Sequence, residues 1–152
     1  MTDIEDLARC ALKTGLEIHR DLGPGLLESA YEALMAASLT RQGLRVERQK
    51  AISLVFRDVE LEDAFRADLL VDRVLLIELK SVEKTAPVHA KQVLTYLRLL
   101  DLPLGLLINF GAPTFKEGAR RILNPRADLS KVRVWRKPWR VRGAPLFHSF
   151  IV

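Results

Sequence analysis

The sequence predicts an α/β domain in which a mixed central sheet is flanked by helices. Three observations predict it. Apolar residues recur at helical spacing in two stretches before Gly43, then change to strand-like alternation and continuous apolar runs. After Pro87 the helical spacing returns, and a last long apolar run follows at Leu104–Phe110. Helix, helix, three strands, helix, strand and short helix is an order that inserts a crossover helix into a hairpin-rich sheet.

Thr2 and Glu5 have the spacing of a capping box, and Ile4, Leu7, Ala8, Ala11 and Leu12 follow at helical intervals. Residues 3–20 therefore read as a first helix, ended by Leu22-Gly23-Pro24-Gly25. A second helix is expected from Leu26 to Gln42, with Ala30, Leu34, Met35 and Leu39 inward and Gly43 as its left-handed C-terminal cap. Ile52, Leu54 and Phe56 alternate with Ser53 and Val55, which suggests a strand over Leu44–Phe56. Its first part, with Arg45, Glu47, Arg48, Gln49 and Lys50, reads as solvated. Phe65–Val71 and Val74–Leu79 are apolar runs suited to strands covered on both faces, separated by Asp72-Arg73. A helix from Pro87 to Asp101 buries Val93, Leu94, Leu97 and Leu100, and a strand spans Leu104–Phe110. A short helix over Lys116–Leu123 precedes Pro125, and Val132, Val134 and Trp135 suggest a last edge strand.

A chain of 152 residues suits one domain with a real core. The expected division is a domain at 1–130 and a basic extension at 131–152. That extension carries Lys131, Arg133, Arg136, Lys137, Arg140 and Arg142 and no acidic side chain. The rest holds 18 basic against 19 acidic side chains, so the excess charge lies wholly in the last 22 residues. Such a segment can hold a phosphate backbone. No apolar run approaches the roughly 18 residues of a spanning helix, so no membrane partner is expected. Cys10 stands alone, which excludes an internal disulfide or a cysteine zinc site. With an acidic start, Met1-Thr2-Asp3-Ile4-Glu5-Asp6, the chain is expected in the cytoplasm.

The chemistry concentrates in Arg66-Ala67-Asp68, followed by Glu78-Leu79-Lys80. Glu78 and Lys80 are two apart on a strand and so share a face, while Ile77 and Leu79 lie on the other. Asp68 reaches that face only if it opposes Glu78. A strict two-residue turn at Asp72-Arg73 would set it against Ile77 instead. An odd-numbered loop such as Asp72-Arg73-Val74, or a bulge, is therefore expected. Two carboxylates on one face can hold Mg²⁺ or Mn²⁺ and leave positions for water and phosphate oxygens. A lysine beside them can orient water or stabilise charge developing on phosphate. Solvated strand charges give the same spacing, and it is the apolar setting that favours chemistry. Glu28 suits a helix N-terminus on dipole grounds alone, and Gln92 and Tyr96 suit an ordinary helix flank. His19 and His89 have no zinc-ligand spacing around them.

Leu22-Gly23-Pro24-Gly25-Leu26-Leu27-Glu28-Ser29-Ala30-Tyr31-Glu32 resembles the signature of the GxxExxY protein family, which belongs to the PD-(D/E)-x-K, restriction-endonuclease-like nuclease superfamily. The resemblance continues through His19, Arg66-Ala67-Asp68, Glu78-Leu79-Lys80, His89, Gln92, Tyr96 and Leu104-Gly105-Leu106-Leu107-Ile108-Asn109-Phe110-Gly111, over residues 4–124. It implies a restriction-endonuclease-like core with the site on the central hairpin. It implies Asp68, Glu78, the Leu79 carbonyl and Glu28 as metal ligands and Lys80 as the catalytic lysine. Gln92 and Tyr96 resemble the Gln-x-x-x-Tyr element of exonuclease-like members. Ala67 stands where the superfamily pattern has proline.

The reading is a Mg²⁺- or Mn²⁺-dependent phosphodiesterase, a nuclease with DNA as the expected polymer; a homodimer is compatible with it. The alternative is a non-catalytic member of the same fold that binds nucleic acid or protein. Trp135-Arg136-Lys137-Pro138-Trp139 leaves a third reading open, a structural or regulatory interaction protein that docks on a partner through this segment, although the same residues equally suit base stacking and phosphate contact.

Overall fold

A computed structural model describes residues 3–127 and 150–151. Helix α1 spans Ile4–Leu22, and the Asp3 side chain accepts the Glu5 N–H at its start. Helix α2 spans Glu28–Arg41. Strand β1 (Val46–Phe56) and strand β2 (Val59–Val71) form a long hairpin, and β3 (Leu75–Lys80) returns beside β2. Helix α3 (Pro87–Leu99) crosses over to β4 (Leu104–Asn109), which pairs parallel with β3. A single turn, α4 (Phe115–Gly118), leads into β5 (Ala119–Leu123), antiparallel to β4. A two-residue strand, β6 (Phe150–Ile151), pairs parallel with β5, so the sheet order is β1-β2-β3-β4-β5-β6. This is the expected mixed sheet flanked by helices.

Two cores explain the apolar runs. Leu69, Val71, Leu75, Ile77 and Leu79 pack with Leu7, Ala11, Tyr31, Met35 and Leu39 of α1 and α2. Leu70, Leu76 and Leu107 pack on the opposite side with Val93, Tyr96 and Leu97 of α3. β2 and β3 are thus buried on both faces, which their unbroken apolar sequence requires.

Three local expectations change. Strand β2 begins at Val59, six residues before the expected Phe65, because Arg57-Asp58 turns the chain and lets the polar stretch pair with β1. Between those halves Glu62, Asp63 and Ala64 stand opposite Ser53, a bulge that keeps the alternation in phase. Residues 119–123, expected as helix, form strand β5, since pairing with β4 overrides local preference. The helix stops at Gly118, where a Cβ would collide with the Asn109 carbonyl oxygen. Leu34 is exposed, and Tyr31, Glu32, Met35, Ala36 and Leu39 form the inward face of α2. The expected strand at Val132–Trp135 lies outside the described residues.

The β2–β3 connection decides the geometry of the site. The Val74 N–H donates to the Val71 carbonyl at 3.0 Å, closing a turn at Asp72 and Arg73. Both have positive φ, 47° and 62°. Val74 is then an extra residue, and Val71 pairs with Leu75, Leu70 with Leu76, and Leu69 with Ile77. The connection is odd-numbered, as required to set Asp68 against Glu78.

Candidate metal centre at the parting of two strands

The β2–β3 ladder ends at Leu69 and Ile77, whereas β3 stays with β4 through Lys80 and Asn109, and β2 stays with β1. The sheet therefore parts at Asp68 and Glu78. Parting leaves two buried backbone donors without ladder partners, and such groups need a replacement. The carboxylates supply it. Leu79 N–H donates to Asp68 Oδ2 at 2.8 Å, and Asp68 N–H donates to Glu78 Oε2 at 3.3 Å.

Both acids are buried, at 7% and 4% exposure. Burial raises the pKa of Asp68 above the usual carboxylate range, opposed by the Leu79 N–H and assisted by the charge of Glu28. Glu78 is pushed up to about 8, first by burial and then by the charge of Asp68. Its hydrogen bond from Asp68 N–H and the charge of half-buried Lys80 draw it back, and Glu28 again raises it. Two close, buried carboxyls with too little positive charge suit a hard divalent cation, which takes oxygen ligands. Among the described residues, no three His, Cys, Asp or Glu side chains stand together as a metal-holding group; one oxygen of each acid, Asp68 Oδ2 and Glu78 Oε2, is turned to a backbone amide.

Glu28 is the first residue of α2, and Tyr31 explains how it is held. The Tyr31 hydroxyl donates to the Gly23 carbonyl and accepts the Leu26 N–H at 3.1 Å, and its ring stacks on Phe110 at 4.2 Å. Ser81 Oγ, next to Lys80, donates to the Leu26 carbonyl at 2.6 Å. The turn that delivers Glu28 is thus tied to both its own helix and the end of β3.

Asn109 plays the matching part on the other side. Its amide accepts from Val82 N–H at 3.1 Å and donates to the Val82 carbonyl at 2.8 Å. Gly111 permits this approach, because a Cβ there would collide with the Val82 carbonyl oxygen. Phe110 N–H donates to the Lys80 carbonyl at 2.9 Å, so the backbone around Lys80 is held from β4.

From α3, Gln92 Nε2 donates to the Tyr96 hydroxyl at 2.6 Å. Tyr96 is buried, and its pKa is raised by burial and then by Glu78, with a smaller contribution from Asp68. Asp68, Glu78, Glu28 and Tyr96 therefore share one electrostatic neighbourhood, with Lys80 beside Glu78 and Gln92 bonded to Tyr96. Leu79 contributes a fully buried side chain and commits its N–H to Asp68. The two histidines among the described residues make structural contacts. His19 Nε2 bonds the Ala112 carbonyl at 2.9 Å, and His89 Nδ1 accepts the Ala86 N–H at the start of α3.

Sequence reasoning did not single out Glu32 and Gln49. Glu32 is buried, with Arg48 Nε at 3.0 Å and Gln49 Nε2 at 2.7 Å. Gln49 Nε2 also donates to Asp68 Oδ1 at 3.1 Å. A polar stretch expected to be solvated thus reaches a buried carboxylate.

A family model described as the PD-(D/E)XK nuclease superfamily matches residues 5–122. No curated protein and no solved structure matches the chain.

Proposed function

The chain belongs to the PD-(D/E)XK nuclease superfamily, and from that premise we propose that it hydrolyses phosphodiester bonds in DNA with Mg²⁺ or Mn²⁺ as cofactor. The observation that carries the proposal is the parted strand pair, which buries Asp68 beside Glu78 with Lys80 two residues on. Asp68, Glu78 and the Leu79 carbonyl hold the cation, and Glu28 completes the set from α2. When bound, the cation supplies Lewis-acid polarisation of a phosphoryl oxygen and a more acidic water. Lys80 orients the attacking water and stabilises charge growing on the phosphate as the P–O bond to the leaving group breaks. Gln92 and Tyr96 line the site from α3.

The signature from Gly23 to Glu32 supports a finer placement with GxxExxY proteins, because each part has its own role. The glycines form the turn, Glu28 carries a charge felt by both acids, and Tyr31 clamps the turn. The basic side chains of residues 131–152 support contact with a phosphate backbone. Among the described residues no helix is long and apolar enough to cross a membrane. A lone cysteine suits work in the reducing cytoplasm.

A second reading is a non-catalytic member of the fold that binds nucleic acid or protein. It is favoured by one observation, that Asp68 Oδ2 and Glu78 Oε2 each accept a backbone N–H. Cleavage of single- and double-stranded DNA and RNA, with and without Mg²⁺ or Mn²⁺, separates the two. Metal-dependent cleavage of DNA is expected. Binding of nucleic acid with no cleavage in either metal establishes the second reading.

A further inference from the structure

Gln49 stands in the same cross-strand row as the candidate site. Arg48 pairs with Leu69 and Lys50 with Ala67, which sets Gln49 against Asp68, as the turn sets Asp68 against Glu78. Its backbone is in the left-handed region, at φ 48°, a conformation uncommon for a residue with a side chain inside a strand. Such an outlier invites a functional account.

The amide of Gln49 supplies one. Nε2 carries two hydrogens and is bonded to two carboxylates, Glu32 Oε2 and Asp68 Oδ1. Since a carboxylate only accepts, the assignment of nitrogen rather than oxygen to this position follows from the partners. Glu32 is itself held at Oε1 by Arg48. Asp68 is then gripped at both oxygens, by Gln49 at Oδ1 and by Leu79 N–H at Oδ2, which fixes the plane of its carboxylate.

We infer that Gln49, anchored through Glu32 to Arg48, is a positioning residue that presents Asp68 to the divalent cation. The inference rests on the metal-site reading above. Partners of this kind fix the orientation of a ligating carboxylate, and removing one weakens metal binding by about 10–100-fold.

The deciding measurement is Mn²⁺ affinity by titration calorimetry on full-length protein without substrate, with thermal melting on the same samples. Gln49→Leu should bind Mn²⁺ about tenfold more weakly. Gln49→Gly should lose a similar factor yet melt above Gln49→Leu, because glycine accepts φ 48° without strain. A merely structural residue would not separate stability from affinity in this way. Glu32→Gln should reproduce part of the loss, and combining it with Gln49→Leu should add little, as expected of members of one network. Wild-type affinity in both Gln49 variants would overturn the inference. So would an affinity that tracks melting temperature, with Gln49→Gly recovering both relative to Gln49→Leu. A wild-type protein that takes up no Mn²⁺ at millimolar concentration is a different failure, visible without any variant. It would remove the metal-site reading, and this inference with it.

Discussion

The two ends of the β1–β2 hairpin differ in composition and live in the environments opposite to those their residues would suggest. At the root, Arg48, Gln49 and Lys50 lie against Ala67, Asp68 and Leu69, and the rung continues into Glu78 of β3. At the tip, Phe56 pairs with Val59 and Leu54 with Leu61, with Val55, Phe56, Val59 and Leu61 exposed at 64%, 64%, 52% and 49%. The bulge at Glu62–Ala64 divides the two. The tip places apolar side chains in water, where Arg57 covers Phe56 at 5.2 Å from its ring centre. The root places charge in the interior and bonds it. None of the buried side-chain nitrogens and oxygens among the described residues lacks a partner. What marks the site here is thus not charge as such but which groups are withdrawn from water and what then holds them.

Predictions that sharpen this contrast begin at the root. Lys80→Met removes the charge but keeps much of the stem, so the strand still packs. Cleavage should fall by about 10²-fold or more, as for loss of one preorganised stabilising group. Substrate binding measured in Ca²⁺ should change far less. Equal losses in both would make Lys80 an ordinary phosphate contact.

The next effect is on stability and concerns pH. Glu78 titrates at about 8 in the folded protein, mainly through burial and then through Asp68, with Lys80 and Glu28 acting in opposite senses. In the unfolded chain a glutamate titrates near ~4.3. Between these values the folded state holds a proton that the unfolded state has released. The contribution of Glu78 is therefore fully present below the lower value and is lost as pH rises through about 8. Urea melts of metal-free protein from pH 5 to pH 8.5 should show wild type losing on the order of a few kcal/mol relative to Glu78→Gln. Parallel pH dependence of the two proteins would refute the assignment.

The smallest effect is expected at the tip, against a control at the root. Leu69→Ala opens a cavity in the α1–α2 core and should cost roughly 2–5 kcal/mol. Phe56→Ser removes a larger side chain but one left in water, and should change stability by no more than about 0.5 kcal/mol. A tip substitution as damaging as the core one, measured by the same melts, would mean that the tip is covered by something in solution.

Much of this contrast is legible in the sequence. The strands of the central hairpin, the crossover helix and the placement of Asp68, Glu78 and Lys80 follow from spacing. The odd connection follows from requiring the acids to share a face. Gln49 is not legible, because its bond to Asp68 depends on a pairing of residues 19 apart that no local pattern specifies. β5 is hidden for a related reason: Lys116–Leu123 has helical spacing, and only its position beside β4 makes most of it a strand. Tyr31 and Asn109 are visible as parts of a resemblance, but their roles as clamps of the Gly23 turn and the Val82 segment are tertiary facts.

The extra residue Val74 has a consequence for how the chain finds its fold. Leu69–Val71 and Leu75–Leu79 are apolar on both faces apart from Glu78, so hydrocarbon burial distinguishes poorly between pairing them in register and slipping by one. The turn at Asp72-Arg73 alone would accept the slipped pairing. What the slip forfeits is polar. Asp68 would no longer meet Glu78 and Leu79 N–H, and an acid buried without partners is strongly disfavoured. The same carboxylates that are assigned to the cation therefore work earlier in the life of the chain, as alignment marks for its two central strands. Replacing both by leucine would remove the polar distinction between two ways of zipping the middle of the sheet.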